Sequence, residues 1–211
     1  MPNPGTVDTR LAAASLPPPA PEIVIGMIRH IAAAACTIAV ATGAYGYHQV
    51  RDAVPHRAGH FPVASPDVHG SFPPAYLADA FGCAGDNVQP RLTWSAAPAA
   101  TRSFAVTMYD PDAPTGSGFW HWLAWDLPAT TDTAGSTLPS AAVTGTNDAG
   151  RTGYLGPCPP TGDIPHHYRL TVYALDVPTL SLPATTPPAV AMFTMSSHIL
   201  ASGAITVTAR R

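Results

Sequence analysis

From Tyr45 to the last residue the chain carries 8 Arg and 11 Asp but neither a lysine nor a glutamate. Those two residues are staples of exposed helix faces, so a segment without them has little to put on the solvent side of an amphipathic helix. What it has instead are short apolar stretches with period-two alternation, bounded by Pro, Gly and Asp, at 91–94, 103–109, 120–127, 167–175 and 205–209. Side chains two apart share one face of an extended chain, so these segments are expected to be β-strands. One stretch departs from the pattern. Thr186-Pro187-Pro188 supplies a helix start, and Val190, Met192, Phe193, Met195, Ile199 and Leu200 recur at helical spacing before Gly203, which predicts a late helix ending near that glycine. The body is therefore mainly β with a helix near its end. No repeat of fixed period is present, which argues against solenoids and propellers.

All 10 basic residues of the 211 are arginine. Without an ammonium group the chain cannot be a P-loop, Schiff-base or Ser-x-x-Lys enzyme. Charged residues make up 11% of the chain and the net charge is −3. That balance offers no basic face for a phosphate backbone and excludes nucleic acid as a partner. The length suits one domain plus an extension.

Residues 1–26 are polar, small and Pro-rich up to Pro21, too poor in apolar surface to offset their ordering entropy. They are read as a disordered segment or as sequence ahead of a true start at Met27. From Met27, Arg29 and His30 precede an apolar run over 31–41 that ends in Ala39-Val40-Ala41, with a further small-residue site at Thr42-Gly43-Ala44. This is the layout of a secretory signal peptide over 27–44, shorter than the ~20 apolar residues of a membrane span. An Ala-rich surface helix is the alternative. Ala33-Ala34-Ala35 lacks the branched residue of a lipobox before Cys36. The expected organisation is thus a leader, a linker over 45–60 and one folded domain over 61–211. The chain is expected to be exported to the periplasm, envelope or medium, or else anchored by an uncleaved leader.

The residues that carry chemistry fall in two segments. In the first, Tyr109-Asp110-Pro111-Asp112-Ala113-Pro114-Thr115-Gly116-Ser117-Gly118-Phe119-Trp120-His121-Trp122, Pro111 and Pro114 fix φ on either side of Asp112 and hold both carboxylates on a stiff loop. Sequential strands are usually neighbours, which would bring His121 close to the acids. In the second, Gly153 to Tyr168, Gly and Pro are dense enough to turn backbone N–H groups toward a cavity, and His166 and Tyr168 share a strand face. Imidazole, phenol and amide donors suit a small phosphate or carboxylate. An anion beside Asp110 and Asp112 needs a proton or a cation between them. Affinity is therefore expected to rise as pH falls through the histidine range, unless the ligand's own ammonium or hydroxyl satisfies the acids.

Asp110-Pro111-Asp112-Ala113-Pro114 followed by Trp120-His121-Trp122, then Gly156-Pro157-Cys158-Pro159-Pro160-Thr161-Gly162 and His166-His167-Tyr168, resemble the two signatures of the phosphatidylethanolamine-binding protein family, in its bacterial branch called Raf kinase inhibitor-like. The likeness extends over about 61–211 and includes Gly82-Cys83-Ala84-Gly85-Asp86-Asn87. It implies two antiparallel β-sheets with a few peripheral helices and a pocket for phosphate, acetate or a phospholipid head group. Carried over, Asp110, Asp112, Pro114 and His121 would line that pocket from the first signature, and Gly156, Pro160, His166 and Tyr168 from the second. Where the family usually has Arg between the last His and Tyr, this chain has His167, which puts the geometry of the loop in question. His121 rather than Trp120 is expected to face the pocket, because imidazole can donate to an anion.

No residue of the group is a recognisable nucleophile. The function expected is non-catalytic binding of a small anion or phospholipid head group, with transient contact with a membrane surface and a protein partner as further expectations. A hydrolase using the Asp/His cluster is the alternative, as is a kinase or protease inhibitor by analogy with relatives. The aspartate-nucleophile phosphatase pattern fails, since Pro114 stands where it needs Thr and no Lys follows. No metal motif appears, and no cofactor is implied. Cys83 and Cys158 are expected to form a disulfide if the chain is exported, and to be two buried thiols otherwise. His48, His56, His60 and His69 are read as solvated, Met192 and Met195 as core, and the tryptophans as mostly packing residues.

Overall fold

The structure is a computed structural model and describes residues 54–211. Residues 1–26, the signal peptide expected over 27–44 and most of the 45–60 linker lie outside the described residues. The strands are β1 (Gly59–His60), β2 (Val63–Ala64), β3 (Leu92–Trp94), β4 (Ser103–Asp110), β5 (Phe119–Pro128), β6 (Thr133–Ala134), β7 (Val143–Thr144), β8 (His166–Leu175) and β9 (Ile199–Ala209). They form a six-stranded sheet ordered β1-β9-β8-β4-β5-β7 and a three-stranded sheet ordered β2-β3-β6. All pairings are antiparallel except β1 with β9. The first strand begins two residues before the expected domain start at 61, because Gly59 and His60 pair with Ala201 and Ser202.

Both faces of the large sheet are covered. On one, Val106, Met108, Trp122, Leu170 and Val172 pack against Leu92 and Trp94 of the small sheet. On the other, Ala105, Leu123, Trp125 and Leu175 pack against helix α1 (Pro188–Ser196) through Ala191, Met192 and Met195. Burial on both faces explains why the middle of β4 and β5 is apolar with little alternation. At roughly 25 cal/mol per Å² of apolar surface, these two cores supply the main driving force of folding.

The late helix is shorter than its spacing predicts. It ends at Ser196, and Ile199 and Leu200 open β9. Val190 and Phe193, read as part of the apolar face, are exposed. The ladder between β8 and β9 runs from His166 opposite Ala209 to Leu175 opposite Ile199, and this long pairing outweighs a local helical preference. Gly203 is no helix stop. A Cβ there would lie 2.2 Å from the Phe61 carbonyl oxygen, so the glycine admits the chain leaving β1.

Candidate functional site

The site lies at one end of β4, β5 and β8. β4 finishes at Asp110 and β5 begins at Phe119, so residues 111–118 form the hairpin loop between them. Asp110 Oδ1 accepts the Asp112 N–H at 2.9 Å, an Asx turn that sets the loop's first bend. Opposite, β8 starts at His166, and its first three residues, His166 to Tyr168, close the second segment.

A β-bulge decides what β5 presents. Met108 pairs with Trp122, yet the next residue, Tyr109, pairs with Trp120, which leaves His121 as the extra residue. Trp122 can then enter the apolar core while His121, its neighbour, also reaches the Tyr168 ring at 5.2 Å. Trp120 packs on Tyr109 at 4.4 Å and toward the opposite core. His121 is pinned by two bonds to the second segment. Its Nδ1–H donates to the Leu155 carbonyl at 2.9 Å, and its own carbonyl accepts the Leu155 N–H at 2.9 Å. Since a carbonyl only accepts, Nδ1 carries the proton and a neutral ring leaves Nε2 as an acceptor.

The second segment is held from behind. Asn87, at φ +52, accepts the Gly156 N–H on Oδ1 at 2.7 Å. A Cβ on Gly156 would come within 2.4 Å of the Tyr76 carbonyl oxygen, so only glycine lets the segment lie this close to residues 76–78. Cys83 and Cys158 form a disulfide that ties the Asn87 region to the same loop.

Together these elements enclose a cavity of about 350 Å³. Of the expected site residues, Asp110, Pro114, His121, Gly156, Pro160, His166 and Tyr168 all line it. Asp112 does not. Its Oδ2 accepts the His167 backbone N–H at 2.7 Å and lies 2.8 Å from His167 Nδ1, so it faces the outside of the loop. His167, at the family's usual arginine position, thereby ties the Asp110–Asp112 loop to β8. Phe81, Ala113, Thr115, Phe119 and Pro159 complete the lining without having been singled out from sequence, and Cys158, expected only as a disulfide partner, lines it too. Phe81 has no sequence signal beyond its place before Gly82-Cys83. Asn87 had one, since asparagine is enriched at positive φ and ends a Gly-rich segment.

At the cavity floor His166 Nδ1 lies 2.8 Å from Asp110 Oδ2, and both side chains are almost wholly buried. His166 Nε2 lies 3.3 Å from Asp163 Oδ2. Burial disfavours the imidazolium, but hydrogen bonds and charge from Asp110 and Asp163 outweigh it and raise the pKa of His166 above its ordinary value. Burial pushes His121 the other way, down to about 4, against the smaller contributions of its backbone bonds and of Asp110. Burial also pushes the Tyr168 hydroxyl up, helped by the charge of Asp110 and a hydrogen bond to it. The carboxylates thus favour the protonated form of the His166 ring, while burial favours a neutral His121 imidazole and a protonated Tyr168 phenol.

The family model described as Phosphatidylethanolamine-binding protein matches residues 68–210. UPF0098 protein YbcL of Escherichia coli is 43% identical over 140 residues, 63% of this chain and 76% of that one. YbhB of the same organism is 43% identical over 141 residues, 64% of this chain and 89% of that one. A Mycobacterium tuberculosis protein named "Putative lipoprotein LppC" is 44% identical over 104 residues, 49% of this chain and 50% of that one. The crystal structure of YbcL, described as a member of the mammalian PEBP family, superposes with a TM-score of 0.70 at 39% identity, covering 72% of this chain and 99% of that one. Two sheets in this order, a cavity where the loops of both signature segments meet, and a family match over most of the chain lead to one conclusion: the chain belongs to the phosphatidylethanolamine-binding protein family.

Proposed function

We propose that the cavity binds a small oxyanion that still carries a proton, either free phosphate or the phosphate of a lipid head group, and that it binds without turning it over. The observation that carries this reading is the buried pair of His166 and Asp110 at the floor. His166 supplies charge and a donor, while Asp110 and the bare Nε2 of a neutral His121 are acceptors. A ligand that offers only acceptors meets repulsion at two of these three groups. A hydrogen phosphate or phosphomonoester monoanion offers both an anionic oxygen and an O–H. The absence of turnover is supported by the lining itself. The Cys158 sulfur is in a disulfide and the Thr115 hydroxyl donates to the Gly118 carbonyl, so neither is set up as a nucleophile.

Calorimetric titration with inorganic phosphate and with sulfate, which carries no proton near neutral pH, tests the reading. Phosphate should bind at least ten-fold more tightly, and its affinity should fall as pH rises, because His166 and the ligand both lose protons; a phosphomonoester's second pKa is about 6. Sulfate binding as well as phosphate, or Asp110→Asn binding phosphate unchanged, overturns it. Export fits the disulfide and the lipoprotein name of one relative. Cell fractionation that finds the chain in the cytoplasm with Cys83 and Cys158 as free thiols refutes export.

A further inference from the structure

Every side-chain donor of the cavity lining is met by an acceptor of the protein itself. His121 Nδ1–H goes to Leu155, the Thr115 hydroxyl to Gly118, the Tyr168 hydroxyl to Asp110, and His166 Nδ1–H to Asp110. The last donor, His166 Nε2–H, is met by Asp163. That carboxylate differs from Asp110 in each respect that matters for holding on. It stands 3.3 Å from the ring rather than 2.8 Å, and its side chain is 35% exposed against 3% for Asp110. Its other oxygen accepts the Ile164 N–H at 2.8 Å. Asp163 follows a turn at Gly162 (φ +84) and is outside both the strand and the cavity lining.

We propose that Asp163 is a built-in competitor for the cavity's anion, a carboxylate that occupies the one ring donor through which His166 would take a ligand oxygen. The inference rests on the binding reading above and adds a step to it: ligand entry is an exchange of one anion for another at His166 Nε2. If Asp163 stayed, the bound anion would make a third negative group around a single imidazolium. If it leaves, the local charge is conserved, and the released carboxylate is rehydrated at little cost because it is already part-exposed. Such an exchange weakens every ligand by the fraction of time the donor is occupied. It also rejects weak acceptors, since only an anion that binds the ring better than Asp163 displaces it.

The test is calorimetric titration of inorganic phosphate into the full chain, into Asp163→Ala and into Asp176→Asn. Asp176 is paired with His198 beyond the far end of β8 and controls for the loss of one negative charge. Asp163→Ala should bind phosphate about three- to ten-fold more tightly, the range of one net hydrogen bond, and Asp176→Asn should stay within about two-fold of the parent. The gain should persist at 1 M salt, where the Debye length is about 3 Å and a mere field effect is screened. The proposal is overturned if the parent binds phosphate and Asp163→Ala binds it no better, or if the gain disappears at high salt. Failure of parent and variant alike to bind removes the binding reading itself, and the competitor with it. Nitrogen-15 shifts of His166 give an independent check. Parent and Asp163→Ala should differ when empty and coincide when saturated, and a saturated parent that keeps its empty-state Nε2 shift also overturns the proposal.

Discussion

Two imidazole–carboxylate pairs stand one residue apart at the start of β8, His166 with Asp110 and His167 with Asp112, each with its closest nitrogen and oxygen 2.8 Å apart. Alternation along the strand sends them to opposite faces. The first pair is 1% and 3% exposed at the floor of the cavity, and the second is 55% and 26% exposed on the outside of the loop. Equal geometry does not give equal energy. In solvent the attraction is screened and each side chain has water as an alternative partner. In the interior each partner is left with an uncompensated polar group if the other is removed. The inner pair is therefore suited to set the chemistry of the cavity, and the outer one to hold the loop in place.

The largest expected effect comes from breaking the inner pair. Asp110→Ala leaves His166 facing a void and should cost about 3–5 kcal/mol, read from the denaturant midpoint. A loss below about 1 kcal/mol would erase the distinction between the two pairs. Next is the pH dependence of the cavity wall. His121 has a folded-state pKa of about 4, below its unfolded value, so its contribution is complete above about 6.5 and is lost as pH falls from there toward 4. By linkage this amounts to roughly 3 kcal/mol. His121→Gln should flatten that part of the stability profile, and an unchanged acid limb would count against the buried neutral ring. His166 behaves oppositely. Its pKa is raised, so its contribution is present below about pH 6.5 and fades as pH rises through the folded-state value. Proton NMR should find its midpoint above 6.5, while His121 stays untitrated well below that. The smallest effects belong to the outer pair. His167→Ala should cost under about 1 kcal/mol. His167→Arg should remain within about 0.5 kcal/mol of the parent and leave phosphate affinity within about two-fold, because an arginine there can still bond Asp112. A loss of binding in His167→Arg would mean that the outer pair tunes the cavity directly.

The strands were legible because short apolar runs bounded by Pro, Gly and Asp are a local property. Segments expected at 103–109 and 120–127 appear as Ser103–Asp110 and Phe119–Pro128. Ile199 and Leu200 misled because their spacing also fits a helix, and only the partner strand β8 decides between the two. Most of the cavity lining could be named from the two signature segments. Asp112 could not be told from Asp110, since both flank the same proline and only the position of His167 assigns it to the outer face. Asp163 lies inside the second segment without standing out, because an acid after Gly162 reads as an ordinary turn residue until its distance to His166 is known.

The amino-acid sequence determined the materials: a lysine-free, glutamate-free body that must be mostly sheet, two proline-stiffened segments, and acids, imidazoles and a phenol within them. Folding decided which imidazole is paired with a buried carboxylate and which is kept neutral by burial. That assignment depends on one extra residue in β5, which turns His121 and Trp122 to the same face, and on burial, which sends the pKa values of His121 and His166 in opposite directions. Periodicity is set by neighbours along the chain, but desolvation is set by whatever packs on the other side, and only the assembled sheets supply that.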